Sequence, residues 1–449
     1  MPSMRRRVSD KQRPKGGDLD VSPREAKRRK VAQSDSTLSL ELNKSQQQET
    51  GFEHSDRELA FTKKEQSKEE RIEEACEKKP RKKRQTKEEK EALAMPLASR
   101  TQGLRMMIGA HVSCAKGVQN SVHNALHIGG NAFAMFLKSQ RKWDNPPLQD
   151  EHRDSFMQRC KEQGYSGSYI LPHGSYLVNL AQADSDKALQ AYNAFLDDLK
   201  RCDALGIKLY NFHPGSTGTF SRSSAIGRIA AAINRAHVET SHVVTVLEAM
   251  AGSGNVIGST FEDLRDIIQA VEDKSRVGVC LDTCHIFAAG YDLRDPPKFK
   301  ETMETFGSTV GFEYLRALHL NDSKAPLTSH RDLHQNIGLG FLGLQAFHNI
   351  MNDPRFENMP LVLETPIDKK DENGKEIEDK AIWANEIKLL ESLTGMNADG
   401  EKFRALEAEL SARGEGERKK FQEAFDKKTR KEDRKTEKRQ SKLAFQSEA

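Results

Sequence analysis

Eight short apolar runs occupy the middle of this sequence, separated by longer segments with the spacing of amphipathic helices. The runs are MMIGAH, AFAMFL, GSYILPH, KLYNFH, VVTVLEAM, VGVCLDTCH, LRALHL and PLVLET, and they lie between residues 106 and 365. Most are continuously apolar, as expected for parallel strands that are buried on both faces. Eight strand–helix alternations predict an α/β fold, a closed (β/α)₈ TIM barrel.

Charge divides the chain into three parts. Residues 1–100 carry a net charge of +7 and few large apolar side chains, residues 101–400 carry −7, and residues 401–449 carry +4. A charged segment that lacks apolar side chains cannot bury enough surface to fold alone. We therefore predict a disordered basic tail over 1–100, the barrel domain over 101–400, and a charged, partly helical or disordered tail over 401–449.

Two basic clusters mark the first tail, Lys27–Lys30 (KRRK) and Lys78–Arg84 (KKPRKKR). Such clusters are typical of nuclear-import signals or of electrostatic contacts with DNA. No apolar run is long enough to span a bilayer, no secretory signal follows the initial MPSMRRR, and the six cysteines lack paired spacing. We expect a soluble nuclear protein, bound by import factors through these clusters and not by membranes; the basic N-terminus leaves a mitochondrial fraction open.

Titratable side chains stand at the ends of the apolar runs. They are His111, His173, His213, Glu248, Asp282, His285, His319 and Glu364. In a parallel barrel the carboxyl ends of all strands meet at one face, where such enzymes have their sites. A single histidine or glutamate there is more often a hydrogen-bonded rim residue. Their recurrence favours a bound cation, because clustered carboxylates and imidazoles would otherwise repel or stay unsatisfied.

Asp332 and His334 add a further pair after the seventh run. In an extended segment, residues two apart face the same way, so both can reach one ion. The mixture of imidazole nitrogen and carboxylate oxygen suits catalytic Zn²⁺, with Mn²⁺ or Fe²⁺ as alternatives. The candidate ligands are too many for one tetrahedral ion, so two or three ions are expected.

The stretch from Met106 to Thr394 closely resembles the endonuclease IV family of abasic-site endonucleases, and its eukaryotic nuclear members in particular. The motifs that carry the resemblance are GAHVS (109–113), LPHGSYLVNL (171–180), NFHPGS (211–216), VEDKSRVGVCLDTCHIFAAGYDL (271–293), LHLNDSK (318–324), RDLH (331–334) and LVLET (361–365). They are long, ordered and spread over the whole predicted barrel, and the two tails lie outside them.

The resemblance implies three zinc ions and a hydrolytic reaction. The implied ligands are His173, His213 and Glu248 for the first ion, Glu248, Asp282, His319 and Glu364 for the second, and His285, Asp332 and His334 for the third. Glu248 and Glu364 would act together with a hydroxide that bridges two ions, since zinc lowers the pKa of its bound water to about 7. His111 would support the site without binding metal.

The implied substrate is double-stranded DNA with an abasic site or a blocked 3′ end, cut by a monomer. Hydrolysis 5′ to the abasic site would leave a 3′-hydroxyl and a 5′-deoxyribose phosphate. The implied DNA-contacting residues are Lys138, Gln140 and Arg141 after the second run, and Tyr176 with Leu177 after the third. From the residues alone, ordinary loop packing is the alternative interpretation of Tyr176 and Leu177.

Two other functions remain open at this stage. One is a sugar isomerase, since such enzymes gather carboxylates and histidines around two ions on the same barrel; the Asp332–His334 pair and the Arg141 and Tyr176 loops argue against it. The other is a non-catalytic protein that binds damaged DNA. Ala249 supports the second, because the family normally has Asn directly after the bridging glutamate, and changes around metal ligands can cost about 10–100-fold in activity.

Overall fold

Seven parallel strands form the central sheet of the computed structural model, which describes residues 96–371 and 374–447. The strands of the described residues are β1 (Met107–His111), β2 (Ala132–Ala134), β3 (Leu209–Phe212), β4 (Val244–Glu248), β5 (Val277–Asp282), β6 (Leu315–His319), β7 (Asp322–Ser323), β8 (His334–Gln335), β9 (Pro360–Leu363), β10 (Asp368–Lys370) and β11 (Glu376–Glu378). The order in the central sheet is β2-β1-β9-β6-β5-β4-β3. The pairs β7–β8 and β10–β11 are short antiparallel hairpins at its margin.

The eighth predicted strand, GSYILPH, closes the barrel without forming a regular strand. Residues 167–169 form a 3₁₀ turn, and the following segment makes single parallel bridges from Ile170 to Phe133 and from His173 to Asn211. Pro172 has no N–H to donate to a ladder, but its carbonyl accepts from the Asn211 N–H at 2.9 Å. The segment thus joins β2 to β3, and the predicted (β/α)₈ barrel is confirmed.

Helices follow the strands around the outside of the barrel. They are α1 (Gln119–His127), α2 (Asp150–Gln163), α3 (Ser185–Leu205), α4 (Arg222–Glu239), α5 (Phe261–Ala270), α6 (Thr283–Ala289), α7 (Pro296–Thr309), α8 (Gly343–Met351), α9 (Ala381–Leu393) and α10 (Glu401–Ser447). None of the described helices is long and apolar enough to cross a membrane.

The barrel encloses a small apolar core, and a larger one lies between the sheet and the helices. The inner core consists of Ala134, Leu171, Leu209, Val246, Cys280, Ala317 and Val362, one from nearly every strand. Every residue of β5 is buried, which explains why its sequence is continuously apolar rather than alternating. Packing on both faces holds the carboxyl ends of the strands in fixed positions around one rim.

The two tails differ in what the structure describes. The predicted disordered segment and both basic clusters, Lys27–Lys30 and Lys78–Arg84, lie outside the described residues. The C-terminal helix α10 takes up Glu401–Ser447 of the tail predicted as partly helical or disordered, and its first turns pack on the barrel with Phe403 and Leu410 buried. The packing of the barrel therefore continues past residue 400.

Candidate metal centre

The ends of the barrel strands bring the predicted ligands to one rim. Glu248, Asp282 and His319 are the last residues of β4, β5 and β6, while His213 and Glu364 directly follow β3 and β9. His173 ends the bridging segment 170–173. His285 was expected at the end of a strand. The VGVCLDTCH run is a strand only to Asp282, however, and His285 lies in helix α6. The Asp282 carboxylate caps that helix by accepting the His285 N–H at 2.9 Å.

Glu248 lies at the centre of the cluster and is fully buried. Its Oε2 is 3.0 Å from His173 Nε2 and 3.5 Å from His213 Nε2. Its Oε1 is 3.2 Å from His319 Nδ1 and 3.3 Å from His285 Nδ1. Each carboxylate oxygen therefore faces a different part of the cluster, which is the arrangement expected of a ligand shared by two ions.

The donor atoms form groups of the size that one ion requires. His173, His213 and Glu248 have donor atoms within 4.8 Å of one another, and the same holds for Glu248, Asp282, His319 and Glu364. In the third group Asp332 Oδ1 is 3.1 Å from both His285 Nε2 and His334 Nε2. The nine predicted ligands are thus contiguous, and the cluster opens to solvent at Asp332, whose side chain is 48% exposed.

A thiol also lies beside the third group. Cys284 is within reach of Asp332 and His334. Its Sγ donates weakly to the Leu333 carbonyl at 3.6 Å, and burial raises the pKa of the Cys284 thiol to about 12. The Leu333 carbonyl thus engages this thiol, and the predicted ligands of the third group are the nitrogen and oxygen atoms of His285, Asp332 and His334.

Electrostatics at the rim favour a cation. Burial disfavours a charged Glu248, but His319 and His213 outweigh it and hold the pKa of Glu248 well below its ordinary value. Burial likewise disfavours a protonated His319, but the Cys280 side chain and the Glu364 and Glu248 carboxylates outweigh it and hold the pKa of His319 well above its ordinary value. Carboxylates also outweigh burial at His334 and raise its pKa to about 9. The cluster therefore stabilises positive charge among its carboxylates. Protons on the imidazoles supply this charge.

The donor set fits divalent metal ions in place of those protons. His319 Nε2 is buried and has no hydrogen-bonding partner among the described residues. His173 Nδ1 faces the Gly174 carbonyl at 2.7 Å, and His285 Nδ1 faces the Ala249 carbonyl at 3.0 Å. Such bonds place the ring proton on Nδ1 and leave Nε2 free to bind metal. Nitrogen and carboxylate donors without thiolate suit Zn²⁺ or Mn²⁺.

Two buried asparagines that the sequence analysis missed hold the carboxylates. Asn211 Nδ2 donates to Glu248 Oε2 at 2.6 Å. Asn321 Nδ2 donates to Asp282 Oδ2 at 2.7 Å, and its Oδ1 accepts the backbone N–H of Glu364 at 2.9 Å. A signal existed in the sequence, since each asparagine lies two positions from a predicted histidine ligand, a spacing that shares a face in extended chain.

His111 and Ala249 also contact the cluster from outside it. His111 Nδ1 is 2.9 Å from Glu364 Oε1, which fits the predicted supporting position. At residue 249 the contacts come from the backbone: its N–H donates to the Cys280 carbonyl at 2.9 Å and its carbonyl faces His285. Any residue other than proline can supply these two backbone groups, so orientation of His285 does not require an asparagine side chain there.

Aromatic and apolar side chains stand exposed beside the metal ligands. Tyr176 is 58% exposed and Leu177 is 38% exposed. The Tyr176 ring centroid is 5.3 Å from those of His173 and His213. The Ser175 hydroxyl donates to the Gln140 carbonyl at 2.9 Å and ties this loop to the one that carries the exposed Arg141. Both loops therefore border the cluster.

Lys138 corrects one of the sequence-based expectations. Its ammonium is 6% exposed and donates to Asp197 Oδ2 at 2.6 Å and to the Ala194 carbonyl at 2.7 Å, with Asp198 Oδ1 at 3.2 Å. A buried ammonium that is fully engaged by helix α3 cannot also contact a phosphate. Lys138 is therefore a structural residue and not a DNA contact.

A cleft of about 870 Å³ begins beside Glu364 and His111 and runs outward along the rim. Its walls combine apolar side chains, such as Phe136 and Trp383, with the basic side chain of Lys116. The cleft thus adjoins the cluster at Glu364.

The barrel part of the chain is similar to known proteins. A family model described as a xylose isomerase-like TIM barrel matches residues 122–393. The apurinic-apyrimidinic endonuclease 1 of Schizosaccharomyces pombe is 46% identical over 310 residues, 69% of this chain and 88% of that protein. Its namesake from Plasmodium berghei is 54% identical over 267 residues, 59% of this chain but only 52% of that protein, so the match spans about half its length. The crystal structure of endonuclease IV from Thermus thermophilus superimposes with a TM-score of 0.54 at 30% identity, covering 64% of this chain and 98% of that one.

Proposed function

The chain belongs to the endonuclease IV family of abasic-site endonucleases, a family of hydrolytic DNA-repair nucleases on a xylose isomerase-like barrel, and we propose that it cuts the phosphodiester 5′ to an abasic site. The products would be a 3′-hydroxyl and a 5′-deoxyribose phosphate, and blocked 3′ ends would be trimmed by the same hydrolysis. The observation that carries the proposal is the contiguous cluster of nine histidine and carboxylate ligands around the shared Glu248.

The metal content that we infer is three Zn²⁺ ions, with Mn²⁺ as a substitute. His173, His213 and Glu248 would hold the first, Glu248 with Asp282, His319 and Glu364 the second, and His285, Asp332 and His334 the third. Bound divalent ions supply an activated water at neutral pH and neutralise charge on the phosphate. The side chains of the chain itself fix the ions: Asn211 and Asn321 hold the carboxylates, and backbone carbonyls orient His173 and His285.

Selection of an abasic site would come from the loops that border the cluster. A nucleotide without a base has lost its stacking, so turning it out of the duplex costs less than turning out an intact one. Tyr176 and Leu177 project into solvent beside the ligands and would occupy the gap left by the missing base. Arg141 and the backbone of Gln140 border the same opening, where Arg141 would contact phosphate without reading sequence.

Incision of a duplex with one synthetic abasic site tests this proposal. We expect the zinc-loaded protein to nick only the damaged strand, and the new ends to be a 3′-hydroxyl and a 5′-deoxyribose phosphate. The matched control is the same duplex with an intact nucleotide, which should stay uncut. Tight binding without incision at full zinc occupancy would overturn the proposal and leave a damage-binding protein; a nick on the 3′ side would overturn the assigned position of attack.

For the cellular setting we propose a monomer in the nucleus, imported through Lys27–Lys30 and Lys78–Arg84. The support is the sequence of the two clusters alone. A fluorescent fusion of the full chain should accumulate in nuclei, and replacing the basic residues of both clusters by glutamine should abolish that accumulation. Unchanged nuclear accumulation would refute the assignment, and a mitochondrial signal in the variant would support a second destination.

A further inference from the structure

The C-terminal helix α10 begins against the barrel and continues far beyond it. Phe403 and Leu410 are buried in its first turns. From residue 419 to residue 437 the side chains are exposed, except for the half-buried Phe421, Gln422 and Phe425. At 1.5 Å per residue this second part alone spans about 28 Å. A helix whose faces are all polar gains no stability from apolar burial, so its persistence in solvent requires an explanation.

The base of this helix is fixed beside the metal cluster. It packs on the segment that directly follows the ligand His334: Gln335 donates to the Glu417 carboxylate, and the Arg418 guanidinium donates to the Leu339 carbonyl at 2.9 Å. Gly414 allows the close approach, because a Cβ there would lie 2.0 Å from the Leu339 carbonyl oxygen. The exposed part of α10 therefore starts at the same rim as the proposed cutting site.

Four lysines of the exposed part lie on one face of the helix. Lys420, Lys427, Lys431 and Lys435 follow one another at intervals of seven, four and four residues, so they form one stripe along the helix; we call these four residues the lysine stripe. Glu423, Asp426, Asp433 and Glu437 form a second stripe, centred about 120° away around the helix axis. Lys419 and Arg430 lie on the same side as these acids, so that side carries both signs, whereas the lysine stripe contains no carboxylate.

Within the part of the chain that the structure describes, the lysine stripe forms no ion pair. Of the described carboxylates, none lies within 4.0 Å of its four ammonium groups, although Lys428, outside the stripe, pairs with Glu432 at 3.9 Å. The stripe offers no apolar face for a membrane surface and no heptad seam for a second helix. What it offers is a row of exposed point charges, which suits a polyanion.

We propose that the lysine stripe binds the phosphate backbone of the duplex that flanks the cutting site, an inference that rests on the proposed function. From Lys420 to Lys435 the stripe is about 22 Å long, and duplex DNA carries one charge per about 1.7 Å of its axis. The barrel region, residues 101–400, has a net charge of −7 and attracts DNA poorly by itself. The stripe supplies sequence-independent affinity that this region lacks.

Binding of an undamaged 40-base-pair duplex at several salt concentrations tests the inference, with the full chain loaded with zinc. Lys427→Gln/Lys431→Gln removes two charges from the stripe. We expect Kd to rise roughly tenfold at 100 mM salt, and the slope of log K against log salt to fall by about 1.8, which is about 0.9 for each lost phosphate contact. Circular dichroism should report unchanged helix content.

Lys419→Gln/Arg430→Gln is the matched control, since it removes the same charge from exposed positions outside the stripe. We expect its Kd to stay within about twofold of the parent and its salt slope to stay unchanged, because phosphate contacts set that slope. The inference would be overturned if both double variants weakened DNA binding equally or if neither weakened it. It would also be overturned if the parent did not bind this duplex. Failure of the proposed function gives a different result, DNA binding without incision of an abasic duplex.

Discussion

Glu248 is the residue on which the metal centre converges, and its burial makes its partners indispensable. A buried carboxylate is tolerated only when charge and hydrogen bonds compensate for its lost hydration. Asn211 and four histidines surround the Glu248 oxygens. Orientation of the candidate ligands therefore depends on one another and on the asparagines, which are not proposed to bind metal.

Asn321→Ala should lower zinc affinity by about 10–100-fold, the usual effect of removing a partner of a metal ligand. The amide links Asp282 to the backbone of Glu364, so both ligands lose orientation together. Competition with a chromophoric chelator measures the affinity. Asn349→Ala is the control, because the Asn349 amide donates to the Leu293 carbonyl, away from the cluster. Equal zinc affinity in parent and Asn321→Ala would contradict the orienting role.

Lys138→Ala should lower the free energy of unfolding by about 3–5 kcal/mol, because it leaves Asp197 and the fully buried Asp198 without their ammonium partner. Arg141 is exposed, so Arg141→Ala should leave the free energy of unfolding unchanged while it weakens the binding of abasic DNA. Urea unfolding and DNA-binding titrations of both variants separate the two roles. A stable Lys138→Ala protein with weakened DNA binding would restore Lys138 as a phosphate contact.

At the scale of elements, helix α9 is joined to the segment after the metal ligands by a buried acid. Glu386 accepts the Ile337 N–H at 2.8 Å and also accepts from the Thr365 hydroxyl. Burial raises the pKa of Glu386 to about 7, although these hydrogen bonds act in the opposite direction. A carboxyl whose pKa is raised on folding binds its proton more tightly in the folded state, so its contribution to stability falls as pH rises.

Glu386→Gln should therefore flatten the pH dependence of stability. The folded protein with Glu386 loses stability between pH 5 and 8, on the order of 2 kcal/mol at about 1.4 kcal/mol per pKa unit; glutamine keeps an acceptor for Ile337 but does not titrate. Unfolding free energies of parent and variant across this range give the difference directly. Glu378→Gln, on the exposed hairpin β10–β11, is the control and should behave as the parent does. Parallel curves for parent and Glu386→Gln would contradict the effect.

The elements that the sequence predicted best are those with a repeated pattern. Seven of the eight apolar runs contain a strand of the central sheet, and the polar residues at their ends meet because parallel strands share one orientation. VGVCLDTCH was predicted less well, since an apolar run does not reveal where a strand gives way to a helix. Lys138 was assigned the wrong role because its burial depends on Asp197 and Asp198, which lie about 60 residues later in the chain.

For the whole molecule, charge distribution connects the cutting site to its substrate. The barrel region carries a net charge of −7 while both tails are basic. Three bound Zn²⁺ ions would bring +6 to the one place where a DNA backbone must approach closely, and the lysine stripe would bring further positive charge to the same rim. Such ions would attract the substrate as well as cut it, and their removal should impair both steps.

Titration of zinc into the metal-free protein, with bound zinc and abasic-site incision measured in the same samples, tests the central claim most directly. We expect no incision without metal, and incision that rises to its maximum as bound zinc approaches three ions per chain. Manganese should restore part of the activity. Full incision by protein that contains no metal, or no incision when all three positions are filled, would contradict the account.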